Sequence, residues 1–381
     1  MPILPNQRHL FDIPDNLAWF NCASRTPFLK AAVDAGIRGM DMRRHVWSWS
    51  SDALTEDTEA IRGLFASLIG ATADDIAIHP AASYGLATAA ANLALSSGQT
   101  IVVLQDQFPS NVFIWMEKAE AAGASIVTVP RPADCNWTAA VLEHLNADTA
   151  IAALPPCHWS DGTRVDLAPI GERCRELGAA LVIDATQWAG AAPFDVAQVQ
   201  PDFLVAAAYK WMFCPHGTSL MYAAPHRQSG RPLEHHDYNH PGTAASIEGA
   251  LKYDPDFPPG ARRYDVGQTF DPIRLPMARA ALEQVAAWGP KNVWETLIPI
   301  ARDITAAAQD MGYSVPPSAQ ASPHILAIAK DSPPPAGMVK SLEQAGVHVS
   351  LRSGRLRIAP HVFISEEDVS RLLTALKTAW S

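Results

Sequence analysis

Residues 180–211 read ALVIDATQWAGAAPFDVAQVQPDFLVAAAYKW. One apolar run ends at Asp184; a second, entered through Pro201-Asp202, ends at Lys210. Short apolar runs bounded by turn residues are the pattern of buried strands. The right-handed crossover rule stacks such strands with their carboxyl ends on one side. Ligands of open α/β sheets bind at that edge. Asp184 and Lys210 are therefore predicted to face one ligand.

The same alternation extends in both directions. Ile76–Ile78 precedes the Ala-rich stretch Tyr84–Leu95, and Thr100–Leu104 precedes Asn111–Ala122 and then Ser125–Val129. Ala150–Leu154 leads into Leu167–Leu177, and Phe203–Ala207 and Ser219–Tyr222 continue the series. Strand–helix alternation of this kind predicts an α/β fold, a largely parallel sheet covered by helices on both faces. After about residue 225 the pattern changes, because Pro225–Ala261 is rich in His, Pro, Gly and Asp and reads as a long loop. From Asp271 the periodicity predicts a long helix, a strand at Ile325–Ala329, a helix at Gly337–Ala345, a hairpin over Val347–Ile358 and a final helix at Glu366–Trp380. The domain reading is a large α/β unit over 15–260 and a smaller α+β unit over 261–381 together with 1–14.

Composition narrows the function. The chain has 381 residues, 48% of them hydrophobic and 18% charged, enough for roughly two or three cores. A net charge of -10 argues against nucleic acid as a partner. Cys22, Cys135, Cys157, Cys174 and Cys214 are odd in number and none is spaced C-x-x-C, which argues against a disulfide framework or a zinc knuckle. The N-terminal residues lack a leader pattern, and no apolar run reaches ~18 residues. These features predict no membrane association and a reduced, cytoplasmic setting.

A lysine and a carboxylate at neighbouring strand ends are the pair that pyridoxal phosphate (PLP) requires. Its aldehyde condenses with a lysine amine, and a buried carboxylate opposite the ring nitrogen favours the protonated ring that withdraws electrons. Lys210 would be the Schiff-base anchor and proton carrier, Asp184 the ring-nitrogen partner, and Gln187 a hydrogen-bond partner of the ring hydroxyl. Taken singly, either charged residue would read as a solvent-facing strand end; the pair, each after an apolar strand, weakens that reading.

The D-A-T-Q-x-x-G, D-F and Y-K-W elements of residues 184–211 resemble the class V aminotransferase group of fold-type-I PLP enzymes. That group includes cysteine desulfurases, selenocysteine lyases, kynureninases and isopenicillin N epimerase-like proteins. The resemblance covers nearly the whole chain. It implies a mainly parallel sheet of seven-stranded type in a large domain, a small C-terminal α+β domain, and a homodimer with a shared active site.

The resemblance also implies site residues. In His79–Gly85, HPAASYG, the positions of Ala82, Ser83 and Tyr84 are where the family binds the PLP phosphate. A helix N-terminus with small residues suits an anion, although the same sequence also reads as an ordinary turn with a Ser cap. Phe108, in Gln107-Phe108-Pro109-Ser110-Asn111, matches the position of a ring-stacking side chain; locally it also reads as a core residue. Arg357, in Arg355-Leu356-Arg357-Ile358-Ala359-Pro360-His361, matches the family's substrate-carboxylate arginine, with Arg352 as a second candidate; by itself the segment reads as an exposed strand.

Departures from the family are equally informative. Relatives often place Ser or Thr, as a phosphate ligand, where this chain has Ala207; Tyr209, at a position often held by His, would donate to the cofactor instead, as the kynureninase-like branch implies. Segment 262–269, Arg-Arg-Tyr-Asp-Val-Gly-Gln-Thr, matches a stretch lending a phosphate contact across a dimer interface, through either Gln268 or Thr269. Cysteine desulfurases carry a nucleophilic Cys on a loop before the arginine; here Ser353-Gly354 turns directly into Arg355, and no Cys follows Cys214. The His-rich stretch Glu234–His240 lacks the helical H-E-x-x-H spacing of a metal site and is predicted to line the substrate pocket.

These features predict a PLP-dependent enzyme acting on an α-amino acid, an aminotransferase first. A C–S or C–C lyase or an epimerase shares fold and cofactor. A PLP-binding sensor without turnover is the remote alternative; such modules follow a basic helix-turn-helix, and here the family-like segment begins near Trp19.

Overall fold

The computed structural model describes residues 3–48 and 51–380. In chain order the helices are α1 (Lys30–Arg44), α2 (Ser51–Ile69), α3 (Ala82–Asn92), α4 (Ser110–Ala122), α5 (Trp137–His144), α6 (Leu167–Leu177), α7 (Val196–Val199), α8 (Pro241–Ala244), α9 (Arg274–Trp288), α10 (Pro290–Asp310), α11 (Met338–Gln344) and α12 (Glu366–Ala379). The strands are β1 (Ala18–Trp19), β2 (Ile76–His79), β3 (Thr100–Leu104), β4 (Ser125–Val129), β5 (Thr149–Leu154), β6 (Ala180–Asp184), β7 (Phe203–Ala207), β8 (Ser219–Ala223), β9 (Leu326–Ile328), β10 (Val347–His348), β11 (Ser350–Arg352) and β12 (Arg355–Ile358).

Seven strands form one sheet in the order β2-β8-β7-β6-β5-β3-β4. Only β8 runs against its neighbours, pairing antiparallel with β2 and β7. The remaining pairs are parallel. The strands are apolar on both faces because both are covered. Ile101 and Val103 join an apolar cluster with Val182, Phe203 and Val205. Their chain neighbours Val102 and Leu104 join another with Leu181, Ile183 and Leu204. That alternation is the two-residue period of a strand expressed on both sides of the sheet.

The C-terminal part differs in detail from expectation. The expected long helix after Asp271 is two, α9 and α10, broken where Gly289 adopts φ 75° and Pro290 opens the next helix. The expected hairpin is β11–β12, turning at Ser353-Gly354 and extended by β9 into a three-stranded antiparallel sheet. Its predicted first strand, β10, instead pairs in parallel with β1, and Asn21 bridges to Ala359. The N–H groups of Ala18, Phe20 and Cys22 donate to the carbonyls of Gly346, His348 and Ala359, tying this N-terminal segment to the C-terminal strands.

Helices α1 and α2 escaped the periodicity reading. On α1 the buried stripe is Ala32, Ala35, Gly36 and Gly39, too small to stand out as hydrophobic. Gly39 is required by packing: a Cβ there would lie 1.9 Å from the Pro272 carbonyl oxygen. Residues 225–261 are irregular apart from α8 and short 3-10 turns. Among the described residues, no helix is long and apolar enough to cross a membrane.

Candidate active site

A cavity of about 240 Å³ opens at the carboxyl edge of the sheet, lined by Asp184, Lys210, Phe108, Tyr209, Gln187 and the start of α3. Asp184 reaches it for the reason its sequence suggested. Strands β6 and β7 are buried throughout; Asp184 is the last residue of β6, whereas β7 ends at Ala207, so Lys210 lies three residues beyond it and not at the strand end expected. Beyond β7 the backbone is fixed by Thr26, whose hydroxyl lies 2.8 Å from the Tyr209 carbonyl and 2.7 Å from that of Lys210.

Lys210 is 6% exposed, and burial draws its pKa down to about 8; the Arg357 and Arg352 charges add to the shift and Asp184 opposes it. Burial raises the pKa of Asp184, while Thr186, whose N–H donates to Oδ1 at 3.0 Å, and Lys210 counter it. The two side chains sense one another's charge yet form no direct ion pair among the described residues, and both line the same cavity. Phe108 lies beside them, its ring centroid 5.5 Å from Lys210 Nζ and 5.5 Å edge-on from Trp159. Tyr209 stacks on His216 at 4.1 Å.

Arg357, on β12, is 2% exposed. Its guanidinium donates to the Trp159 carbonyl at 2.7 Å, to Ser24 Oγ at 2.6 Å and to Ser350 Oγ at 3.2 Å. Arg352 also reaches Ser24 Oγ, at 3.3 Å. No carboxylate pairs with either arginine among the described residues. Burial and then the Arg352 charge lower the pKa of Arg357, a cost that an anionic ligand would offset.

The start of α3 is uncapped: Ala81 offers no capping side chain. The N–H groups of Ala82 and Ser83 have no hydrogen-bond partner among the described residues, whereas those of Tyr84 and Gly85 turn back to the Ala81 carbonyl. Tyr84 thus offers no free N–H at the start of α3. Its ring lies on His79 at 4.9 Å, outside the cavity, and burial with the nearby Glu234 raises its pKa. Gln187 lines the cavity, but its amide already donates to the Ala23 carbonyl at 3.0 Å and accepts from Trp211 Nε1 at 2.9 Å. The second N–H of that amide and the second lone pair of its oxygen are left for a ring hydroxyl.

Neither Gln268 nor Thr269 lines the cavity of its own chain. Gln268 is exposed in the left-handed region, φ 57°, and Thr269 is buried. The Glu234–His240 stretch does not line the cavity either, contrary to expectation. Glu234 accepts from the Gly267 N–H and His236 contacts the Asp265 carbonyl, so the stretch folds onto residues 262–269. Among the described residues, no group of three His, Cys, Asp or Glu is arranged for a metal.

Sequence reasoning assigned no role to Ser24, Thr26 and Trp159, whose partners Arg357, Tyr209 and Lys210 lie far away in sequence and leave no local pattern. A lysine, a carboxylate, an aromatic wall and an uncapped helix start around one cavity match the aldehyde, ring nitrogen, ring face and phosphate of PLP.

The Aminotransferase class-V family model matches residues 42–362. The "Uncharacterized aminotransferase YcbU" of Bacillus subtilis (strain 168) is 27% identical over 82% of this chain and 81% of that protein. A "Probable cysteine desulfurase" of Vibrio cholerae is 28% identical, over only 36% of this chain and 34% of that protein. Among solved structures, the cystine C-S lyase C-DES superposes with a TM-score of 0.86 at 18% identity, over 96% of this chain and 98% of that one; this is a likeness of fold. The chain belongs to the class V aminotransferase family. It is accordingly a PLP-dependent enzyme, a transferase or a lyase.

Asp184→Asn is expected to retain PLP while losing most turnover. An opposite charge within ~4–6 Å shifts a pKa by about 1–3 units, so losing it should slow proton removal roughly 10- to 1,000-fold. Absorbance titration of the cofactor and steady-state rates measure the two effects separately; near-normal rates would assign Asp184 another task.

Proposed function

We propose that this enzyme transfers the amino group of an α-amino acid, with Lys210 as its base and Arg357 as its carboxylate site. The carrying observation is Lys210: a buried amine with its pKa near 8, sharing one cavity with Asp184. When bound, PLP supplies a positively charged ring that stores the electron pair left on the substrate carbon. Asp184 holds the ring nitrogen protonated. Phe108 would cover the ring, and Arg357 with Ser24 would orient the carboxylate. Lys210 Nζ would take the proton from the substrate α-carbon and deliver it to the cofactor carbon that carried the aldehyde, so one base would serve both steps. Epimerisation would need a second acid across the ring. Besides Lys210, the cavity's titratable side chains are Cys157, Asp184, Tyr209 and His216.

A C–S or C–C lyase is the second reading, supported by the desulfurase among the relatives and by the fold of C-DES. Incubation with a panel of amino acids and an acceptor keto acid, scored for keto acid, ammonia, sulfide and alanine, decides between them. Amino transfer without ammonia is the expected result; ammonia or sulfide in step with keto acid would establish the lyase.

Persulfide chemistry is not part of this proposal. Burial raises the thiol pKa of Cys22, Cys157, Cys174 and Cys214, and of the half-buried Cys135. Thiols held in that form are poor nucleophiles. After incubation with cysteine, mass spectrometry should find no persulfide on any of the five; detecting one, with sulfur passed to an acceptor, would reverse this.

The proposal includes a homodimer in the cytoplasm, with a large unit ending near residue 260. Exposed apolar side chains support the dimer: Ile37 and Met40 on α1, Phe113 and Met116 on α4. Five unpaired cysteines suit a reduced compartment. Gln268, exposed where Thr269 is buried, is the better candidate to reach the partner's phosphate site.

A further inference from the structure

The antiparallel strand β8 brings a residue to the ligand edge that no strand-end pattern would identify. Because β8 runs against its neighbours, its beginning lies where they end. Ser219 pairs with His79 of β2 on one side and with Ala207 of β7 on the other. Thr218, one residue earlier, therefore stands level with Pro80 and Ala208, under the turn into α3. Its carbonyl accepts from the Ala208 N–H at 3.0 Å, which fixes the backbone there. Gly217, at φ 83°, turns the chain into this position.

Thr218 is 3% exposed and lines the cavity, yet its hydroxyl has no hydrogen-bond partner among the described residues. A buried hydroxyl without a partner is costly, and such groups are normally satisfied by a ligand or water. Three nearby features show which ligand group would satisfy it. The free N–H groups of Ala82 and Ser83 and the positive end of α3 mark the anion-binding corner of the cavity. Ala207 presents only a methyl group to the same cavity. A phosphate bound at α3 has more acceptor oxygens than those N–H groups can serve, and Thr218 is a buried donor on its β8 side.

We propose that Thr218 Oγ donates a hydrogen bond to the phosphate of bound PLP, supplying from β8 the hydroxyl that Ala207 lacks. The proposal rests on the reading of the α3 start as the phosphate site. It assigns Thr218 a part in holding the cofactor, not in moving protons.

The test titrates cofactor-free protein with PLP and with pyridoxal, which has the same aldehyde and ring but no phosphate. Wild type should bind PLP more tightly than pyridoxal. Thr218→Val, which keeps the shape and removes the hydroxyl, should weaken PLP binding by about tenfold or more, as for loss of a hydrogen bond to a charged group. Its affinity for pyridoxal should not change. Thr218→Ser should bind PLP like wild type, and Thr218→Ala gives a second hydroxyl-free variant should valine crowd the turn. Unchanged PLP affinity in the hydroxyl-free variants, or equal loss of PLP and pyridoxal, would overturn the proposal. Equal wild-type affinity for both would overturn it while leaving the lysine assignment standing; binding of neither would overturn both.

Discussion

Lys210→Ala should abolish measurable turnover while leaving a folded protein that still takes up PLP reversibly. Lys210 serves as both covalent anchor and proton carrier, and a positioned acid–base group alone contributes about 10²–10⁴-fold. The combined loss should reach or exceed the upper figure. Borohydride reduction of wild type should leave the pyridoxyl group on a peptide containing Lys210, and the variant should show no such label. Capture of PLP by cofactor-free protein should quicken as pH rises through about 8, since the amine reacts in its neutral form and its pKa is drawn down to about 8. An ordinary lysine would place that rise near 10.4. A label on another lysine, or retained turnover in Lys210→Ala, would remove the assignment.

Lys210 and Asp184 were legible because their information is local. Each follows an apolar run, the runs become parallel strands, and parallel strands deliver their ends to one edge. Arg357 was found only through resemblance; nothing in Arg355–His361 says that its side chain is buried. The structure adds the reason: Ser24, far away in sequence, accepts from Arg357 at 2.6 Å. Such partners follow no period. The expected hairpin fails for the same reason: β1, from the other end of the chain, recruits β10 out of it. Thr218 was missed for a topological reason: its place at the ligand edge depends on β8 being antiparallel, which periodicity does not reveal.

Arg357→Ala should reduce kcat/KM for the best amino acid by about 2–5 kcal/mol, roughly 30- to 5,000-fold, while PLP stays bound. The size follows from burial. Arg357 is 2% exposed and has no carboxylate partner among the described residues, so a substrate carboxylate would meet an undersupplied charge in a desolvated site. Arg357→Lys should rescue little. A lysine ammonium cannot reproduce the fork that holds the Trp159 carbonyl and Ser24 Oγ while still facing an anion. PLP should remain bound because the candidate groups for its ring and phosphate come from β6, β7 and α3, not from β12. The control that isolates carboxylate recognition is the decarboxylated amine of the same substrate. Its turnover should be poor in wild type and nearly unchanged in both variants. Equal loss on acid and amine would make Arg357 structural, a support for the Trp159 carbonyl and the Ser24 hydroxyl. No loss on either would move carboxylate reading to Arg352, which shares Ser24 and also lacks a carboxylate partner. If both arginines contribute, Arg352→Ala should weaken the acid less than Arg357→Ala, because Arg352 is only half-buried and solvent screens its charge.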